Sequence, residues 1–249
     1  MNRDRLSLLA HAGLDLMNPL PAAAIERLLD AAGLSPGDRA ADIGAGKAGV
    51  ALLLLGRGAR VTLVERSPVF CAAAREAVER AGLAAGAVFA EEDARAFVER
   101  TARDPYRLVV CTGASHALGG RDAALSALAG ITAPGGHVLF GDGYWRKRPS
   151  PAYLEALGAA EDEMGSLDDI VYAASGCGLV PVDVEAASVE AFDAYELGWC
   201  AGLDRFADEQ PDDPDAPTAR AVAASRRDAY HRWGRDELGF AVYLLKNTA

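Results

Sequence analysis

The 249-residue chain has few lysines and no regularly spaced cysteines. Its 25 basic residues, only three of them lysine, are outnumbered by 36 acidic residues, so the formal net charge is −11. Because neutralisation of phosphates supplies most of the affinity of nucleic-acid-binding proteins, this balance argues against a nucleic-acid partner. The four cysteines form no C-x-x-C pair, so neither a zinc site nor a disulfide framework is indicated.

Long apolar runs are also missing. No segment approaches about 18 consecutive apolar residues, and the first twenty residues contain no apolar core of signal-peptide length. We therefore expect a cytoplasmic protein that neither spans nor binds a membrane. No His, Asp or Glu cluster recurs at ligand spacing, so no metal is expected. The composition, 51% hydrophobic and 24% charged, is that of a globular protein with one large α/β domain and an elaboration, or with two small domains.

Secondary-structure signals alternate along the chain. Between residues 38 and 142, short β-branched runs alternate with amphipathic, Ala-rich runs, which is the pattern of βαβ units in a parallel sheet. The predicted strands are 39–43, 60–65, 86–90, 107–112, 136–141, 179–186 and 239–246. The predicted helices are 47–56, 68–81, 94–102 and 121–130, with one more upstream within 19–34 and one downstream within 167–179. The pattern predicts an α/β fold with a doubly wound, mostly parallel sheet of seven strands.

Three parts of the chain are distinguished by this pattern. Residues 1–37 are predicted to form N-terminal helices that cover the ligand site. Residues 38–187 and 239–249 form the sheet domain. Residues 188–238 are predicted to be a helical lid inserted between strands six and seven, with a polar Pro/Asp loop in its middle.

The first strand is followed by a turn that fits two kinds of nucleotide site. Gly44, Gly46 and Gly49 match the dinucleotide fingerprint G-x-G-x-x-G, whereas Asp42, Gly44 and Gly46 match the acid-x-Gly-x-Gly turn that holds S-adenosylmethionine (SAM). A carboxylate would repel a pyrophosphate, while SAM presents an ammonium and a sulfonium group. Asp42 therefore favours SAM, and Gly49 is interpreted as an incidental residue of the first helical turn.

Three more features occur in order along the chain. The segment Glu91-Glu92-Asp93-Ala94 follows the third strand, Pro134-Gly135-Gly136 introduces the fifth, and a sixth strand precedes a seventh. With these features the chain resembles, over nearly its whole length, the class I SAM-dependent methyltransferases, whose seventh strand is antiparallel. The resemblance implies a Rossmann-like methyltransferase fold with SAM as cofactor. The family often has glycine where this chain has Ala48, which we expect to alter the turn only slightly.

The resemblance also implies a role for individual residues. The amino-acid part of SAM is implied to lie among Asp42, Gly44, Ala45 and Gly46, and its ribose hydroxyls at Glu65. Its adenine is implied to lie at Asp93 and Ala94, and its methionine side along Cys111.

A narrower resemblance covers the loops. Cys111 to Gly120 follow the pattern C-x-G-x-x-H-A-x-G-G, with Gly143-Tyr144-Trp145 and Asp193-Ala194-Tyr195-Glu196 further on, as in a bacterial subgroup of mostly unassigned substrate. The Asp/Asn-Pro-Pro-aromatic sequence of enzymes that methylate nucleic-acid bases is absent. The loops therefore favour a small-molecule acceptor.

Two candidate catalytic residues follow the fourth and fifth strands. His116 lies in a Gly-rich loop and has the ordinary pKa of a general base near neutral pH, although it could instead brace the loop through a backbone carbonyl. Asp142 could bind an amine or hydroxyl of the acceptor, or could pair with Arg146 or Arg148.

Aromatic side chains are candidates for the acceptor pocket. Tyr144 and Trp145 could form an aromatic wall there. Tyr195 is a candidate in the insertion, where the helical spacing of Tyr195, Trp199, Tyr230 and Trp233 also suits core packing.

The sequence thus predicts a SAM-dependent methyltransferase that transfers a methyl group to an oxygen or nitrogen of a small molecule. Two alternatives remain at this stage. One is a nicotinamide-dependent oxidoreductase using the same glycines, and the other is a protein that binds SAM or S-adenosylhomocysteine (SAH) without catalysis. No feature of the chain predicts an oligomeric state.

Overall fold

A seven-stranded mixed sheet forms the centre of the protein. The computed structural model describes residues 1–101 and 103–248. Strand order is β3-β2-β1-β4-β5-β7-β6, and β7 is antiparallel to both of its neighbours while the remaining pairs are parallel. The strands are β1 Arg39–Ile43, β2 Arg60–Val64, β3 Ala87–Ala90, β4 Tyr106–Thr112, β5 Thr132–Trp145, β6 Leu179–Ala186 and β7 Leu238–Asn247. The predicted doubly wound, mostly parallel fold is confirmed.

Helices connect and cover the strands. They are α1 Arg3–Ala10, α2 Ala22–Ala32, α3 Gly49–Gly56, α4 Pro68–Arg80, α5 Ala94–Thr101, α6 Arg121–Gly130, α7 Pro151–Leu157, α8 Leu167–Gly176, α9 Val189–Glu209, α10 Ala216–Ala229 and α11 Arg235–Glu237. A π-helical turn, Tyr230–Gly234, joins the last two. Helix α7 was not predicted, and the last residue of the predicted helix 94–102 lies outside the described residues. Among the described residues, no helix has both the length and the apolar character needed to cross a membrane.

Helices α2, α3 and α4 pack on one face of the sheet, and α5, α6 and α8 pack on the other. Alternate strand residues face opposite layers, so Ala40 belongs to the first core and Ala41 and Ile43 to the second. Because both faces are covered, the central parallel strands are nearly continuous runs of buried apolar residues. This core holds the strand ends, and the loops that follow them, in fixed positions.

A third apolar cluster joins α1 to the inserted helices. Ala10 packs with Trp199, Leu203 and further residues of α9 and α10. Arg5 forms ion pairs with Asp213, at 2.7 Å, and with Asp215. The N-terminal helix and the 188–238 segment therefore pack together beside the sheet.

Candidate active site

A cavity of about 800 Å³ opens at the carboxyl ends of β1, β2 and β4. Its wall also includes residues from the first 18 positions and from α7, α9 and α10. Open α/β sheets bind their ligands at this edge, where the strand order reverses. The predicted site residues found in the wall are Asp42, Gly44, Ala45, Gly46, Glu65, Ala94, His116 and Tyr195. Those outside it are Asp93, Cys111, Asp142, Tyr144 and Trp145.

The turn after β1 is held by backbone hydrogen bonds to β2. The amides of Gly44 and Ala45 both donate to the Val64 carbonyl, at 2.9 and 3.1 Å. Gly44 has φ +73°, and a Cβ there would lie 2.4 Å from the Cβ of Ala114 in the loop after β4. Glycine is thus required at this position both by the backbone angle and by the close approach of the two loops.

Replacing Gly44 by alanine is expected to destabilise the fold by several kcal/mol. The left-handed backbone costs roughly 1–2 kcal/mol for a residue with a Cβ, and crowding a packed site adds about 1–3 kcal/mol. Gly113→Ala is the matched control, since Gly113 has the same φ of +73° but open space around its Cβ position. Urea unfolding should show the larger loss for Gly44→Ala. Equal losses would contradict the contact with Ala114.

The start of α3 differs from the expectation in two ways. Ala48 adopts φ +68° and ψ 21°, the only left-handed non-glycine residue in the described part of the chain, so the helix begins at Gly49 rather than 47. A Cβ on Gly49 would lie 2.8 Å from the Asp15 carbonyl oxygen. Gly49 therefore allows the N-terminal segment to approach the turn and is not incidental.

Asp42 is buried beneath this turn, with 3% of its surface exposed. The pKa of its carboxyl is raised from 3.8 to about 7, chiefly by burial and to a smaller extent by the nearby Glu65 carboxylate, while a backbone hydrogen bond at Ala51 opposes the shift. No cation pairs with Asp42 among the described residues. A positively charged ligand would favour the ionised carboxylate.

Glu65 follows β2 and is oriented by two backbone amides. Its Oε1 accepts a hydrogen bond from Ser67 at 2.8 Å, and its Oε2 accepts one from Gly46 at 3.2 Å. A carboxylate has about four acceptor positions, so two remain for hydroxyl donors in the cavity. This arrangement suits a ribose diol.

Neighbouring residues of the acidic segment after β3 occupy different positions. Glu92 and Ala94 line the cavity, whereas Asp93 is exposed and caps α5 through its Oδ1, which accepts from the amide of Arg95 at 2.9 Å. Sequence reasoning selected Asp93 and missed Glu92. A helix cap and a cavity-facing acid, one residue apart, have the same sequence signature.

Cys111 lies inside the second core rather than in the wall. Its side chain is fully buried, and burial raises the pKa of the thiol, so the group is neutral. The residues that follow it, Thr112 and Gly113, reach the cavity instead.

His116 lies in a 3₁₀ turn, Ser115–Leu118, and its ring is exposed to the cavity. Neither ring nitrogen makes a hydrogen bond within the part of the chain that the structure describes, so the alternative role as a loop brace has no support. Desolvation by the surrounding walls, with a contribution from Arg3, lowers the pKa of His116 below 6.5. The imidazole is therefore neutral at neutral pH.

Asp142 lies behind this loop. Its Oδ1 accepts the Gly143 amide at 2.9 Å, and hydrogen bonds from Ser115 and Gly143 oppose the burial that raises its pKa. It pairs with neither Arg146 nor Arg148, the partners considered from sequence. Asp142 is positioned to brace the loop that carries His116.

The two aromatic residues at the end of β5 pack away from the cavity. Tyr144 lies against Gly239 of β7, and a Cβ on Gly239 would lie 2.3 Å from the Cζ atom of Tyr144. Trp145 Nε1 donates to the Glu161 carbonyl at 2.9 Å, and its ring packs edge-on against Tyr153, which does line the cavity. Trp145 thus supports the wall from behind.

A hydrogen-bonded chain crosses the opposite wall. His11 Nδ1 lies 2.7 Å from the Ser7 carbonyl, and its Nε2 lies 2.9 Å from the Tyr195 hydroxyl. Burial lowers the pKa of His11 to about 4, so the ring is neutral, donates at Nδ1 and accepts the Tyr195 proton at Nε2. His11, assigned to structure from sequence, is therefore part of the cavity wall.

Comparison with known proteins agrees with this geometry. A family model described as a methyltransferase domain matches residues 40–136. The SAM-dependent methyltransferase of Geobacter sulfurreducens, solved with SAH, is 26% identical over 97% of each chain, with a TM-score of 0.85. That of Thiobacillus denitrificans, also solved with SAH, is 25% identical over 98% of this chain and 99% of that one, again with a TM-score of 0.85. The protein is a SAM-dependent methyltransferase.

This methyltransferase uses SAM as its methyl donor. It is also 29% identical over 216 residues to the Escherichia coli K12 protein YjhP, with 85% of this chain and 86% of YjhP covered. The carboxylates of Asp42 and Glu65 in the cavity wall fit a cationic, hydroxyl-bearing cofactor, while the Glu92 carboxylate is paired with Arg100. No group of three or more His, Cys, Asp or Glu side chains suited to a metal ion occurs among the described residues.

Proposed function

We propose that the protein transfers the methyl group of SAM to an oxygen or nitrogen of a small molecule held in the same cavity. The observation that carries this proposal is the position of His116. Its neutral ring faces the cavity without a partner, beside the acidic wall that fits the cofactor. The cavity, at about 800 Å³, is large enough for a small acceptor beside the cofactor.

The cofactor contacts are proposed residue by residue. Asp42 and the Gly44–Gly46 turn hold the amino-acid part, and Glu65 binds the ribose hydroxyls. Glu92 joins Asp93 and Ala94 around the adenine. Cys111 supports the methionine side from within the core. When bound, SAM supplies a methyl group on a sulfonium, which is the electrophile.

The acceptor side is proposed to use His116 as general base. An acceptor hydroxyl or amine loses its proton to the neutral imidazole as its oxygen or nitrogen takes the methyl group. Asp142 acts as a positioning residue through the Ser115 loop, and Tyr195 contacts the acceptor. Tyr144 and Trp145 shape the acceptor side by supporting Tyr153 and the β7 backbone. The wall segments from α1 and α9–α10 exclude water from the sulfonium.

The pH dependence of turnover is expected to report on His116. Because its pKa lies below 6.5, the base is neutral and active at pH 7 and becomes protonated as the pH falls. At saturating SAM, turnover should therefore be level above about pH 6.5 and should decrease in more acidic buffer. A rate that increases on acidification would contradict a base at this position.

The test of the function is an acceptor screen that follows SAH release. Small hydroxyl- and amine-bearing compounds should stimulate release in the wild-type protein when they fit the cavity. Double-stranded and single-stranded DNA serve as negative controls, given the net charge of −11. SAM binding without SAH release from any compound would contradict catalysis and leave a cofactor-binding protein.

A further inference from the structure

An ion pair lies in the cavity wall formed by α9 and α10. Both oxygens of Glu196 accept hydrogen bonds at 2.7 Å from Arg226, one from Nε and one from Nη2. Glu196 is 5% exposed, and the Arg226 guanidinium lies 4.2 Å from the centroid of the Trp199 ring. The bidentate bond and the stacked ring fix the plane of the guanidinium.

One edge of this guanidinium is open. Its two bonds to Glu196 use two of the five N–H groups of an arginine, and the other three have no partner within residues 1–101 and 103–248. Arg226 lines the cavity, and 37% of its side-chain surface is accessible. N–H donors that line a cavity and have no acceptor within the protein indicate a ligand with acceptor oxygens.

Two positive charges lie near the neutral His11. Arg226 lies in the wall and pairs with Glu196, whereas Lys47 lies outside the wall and donates to the carbonyls of His11 and Leu14, with the exposed Asp15 nearby. A monoanion at the open edge of Arg226 would share the guanidinium with one carboxylate, that of Glu196. A dianion would bring two negative charges close to Glu196.

A buried ion pair is weak evidence for a role in stability. Buried ion pairs are commonly no more stable than apolar residues of similar size, so a pair with an open edge in a cavity suits recognition. Its neighbours Tyr153 and Tyr195 have pKa values raised by burial, so they are neutral. They offer apolar surface beside the charge.

We propose that the open edge of Arg226 binds a carboxylate of the methyl acceptor, so that the acceptor is a small monocarboxylic acid with a hydroxyl or amine elsewhere. This inference rests on the proposed function, because it specifies the acceptor of the same cavity. Arg226 binds the carboxylate and takes no part in the transfer of the methyl group.

The test is isothermal titration of the SAH-saturated protein with paired probes. The probes are 4-hydroxybenzoate, 4-aminobenzoate and 3-hydroxybutyrate, each compared with its primary amide. The carboxylates should bind at least about tenfold more tightly than the amides, because a charge-assisted bond is lost in the amide. Arg226→Gln should remove that preference. Arg227→Gln is the matched control, since Arg227 pairs with Asp204 outside the cavity wall.

A second variant distinguishes a loss of carboxylate binding from a loss of folding. Arg226→Gln leaves the buried Glu196 carboxylate unpaired, whereas the double variant Glu196→Gln with Arg226→Gln keeps a neutral hydrogen-bonding pair. The double variant should bind SAH as the wild type does and should lack the carboxylate preference. Equal binding of acids and amides, no binding of any acid, or a preference that survives in the double variant would each overturn the proposal.

The two proposals fail in different ways. SAH release with an acceptor that lacks a carboxylate, with no carboxylate preference in binding, would overturn the role of Arg226 and leave methyl transfer intact. Carboxylate-selective binding that depends on Arg226, without SAH release from any probe or acceptor, would contradict methyl transfer and leave the role of Arg226 in binding intact.

Discussion

His116→Ala is expected to lower turnover by roughly 100- to 10,000-fold, which is the range that a general base contributes. The ring faces the cavity, is neutral at neutral pH, and makes no hydrogen bond that would assign it to bracing the loop. The effect should fall on kcat, because the acceptor loses its proton in the reacting complex. The measurement is SAH release with any acceptor found in the screen.

The controls for this variant separate chemistry from binding. SAM affinity of His116→Ala should equal that of the wild type, and the acidic decline of turnover should disappear from its pH profile. His231→Ala should leave turnover unchanged, because His231 is exposed and outside the cavity wall. Wild-type turnover in His116→Ala would refute the base, and lost SAM binding would show that the residue has a different role.

Asp42→Asn is expected to weaken SAM binding by roughly 10- to 150-fold, the range for a lost hydrogen bond to a charged group. The raised pKa, about 7, means that wild-type SAM affinity should decrease as the pH falls from 8 to 5. The asparagine variant should bind SAM weakly with little dependence on pH. Glu91→Gln, which removes an exposed acid outside the wall, should behave as the wild type.

Stability should change in the opposite sense to SAM affinity. An aspartate whose folded pKa is raised above 3.8 favours the folded state while it is protonated, and this advantage is lost as the pH rises through 7. Without SAM, Asp42→Asn should therefore have a larger free energy of unfolding than the wild type at pH 8. A variant that is less stable and still binds SAM at full affinity would contradict this account of the buried acid.

The strands of the sheet were predictable because local sequence determines them. The strand predicted at 39–43 is observed as Arg39–Ile43, and that at 179–186 as Leu179–Ala186. Both are short apolar or β-branched runs between turn residues, and the βαβ order leaves few topologies. The predicted start of α3 was two residues too early. The left-handed backbone of Ala48 ends the turn there, and an alanine gives no indication of such a conformation in the sequence.

The acceptor wall was less predictable because its contacts join distant segments. His11 and Tyr195 are 184 positions apart, and Glu196 meets Arg226 across two helices. Hydrophobic spacing places these residues on helices but does not say which helices meet. Trp145 was expected in the acceptor pocket, but its indole N–H donates a hydrogen bond to the Glu161 carbonyl outside the cavity wall. Such choices depend on packing and not on local pattern.

The most direct test of the account is a crystal structure of the protein with SAH. SAH should lie in the cavity, with its amino group beside Asp42 and the turn, its ribose hydroxyls about 3 Å from Glu65, and its sulfur facing His116. An acceptor would then fit between the sulfur and the Arg226 wall. A sulfur atom turned away from His116, or SAH bound outside this cavity, would contradict the account.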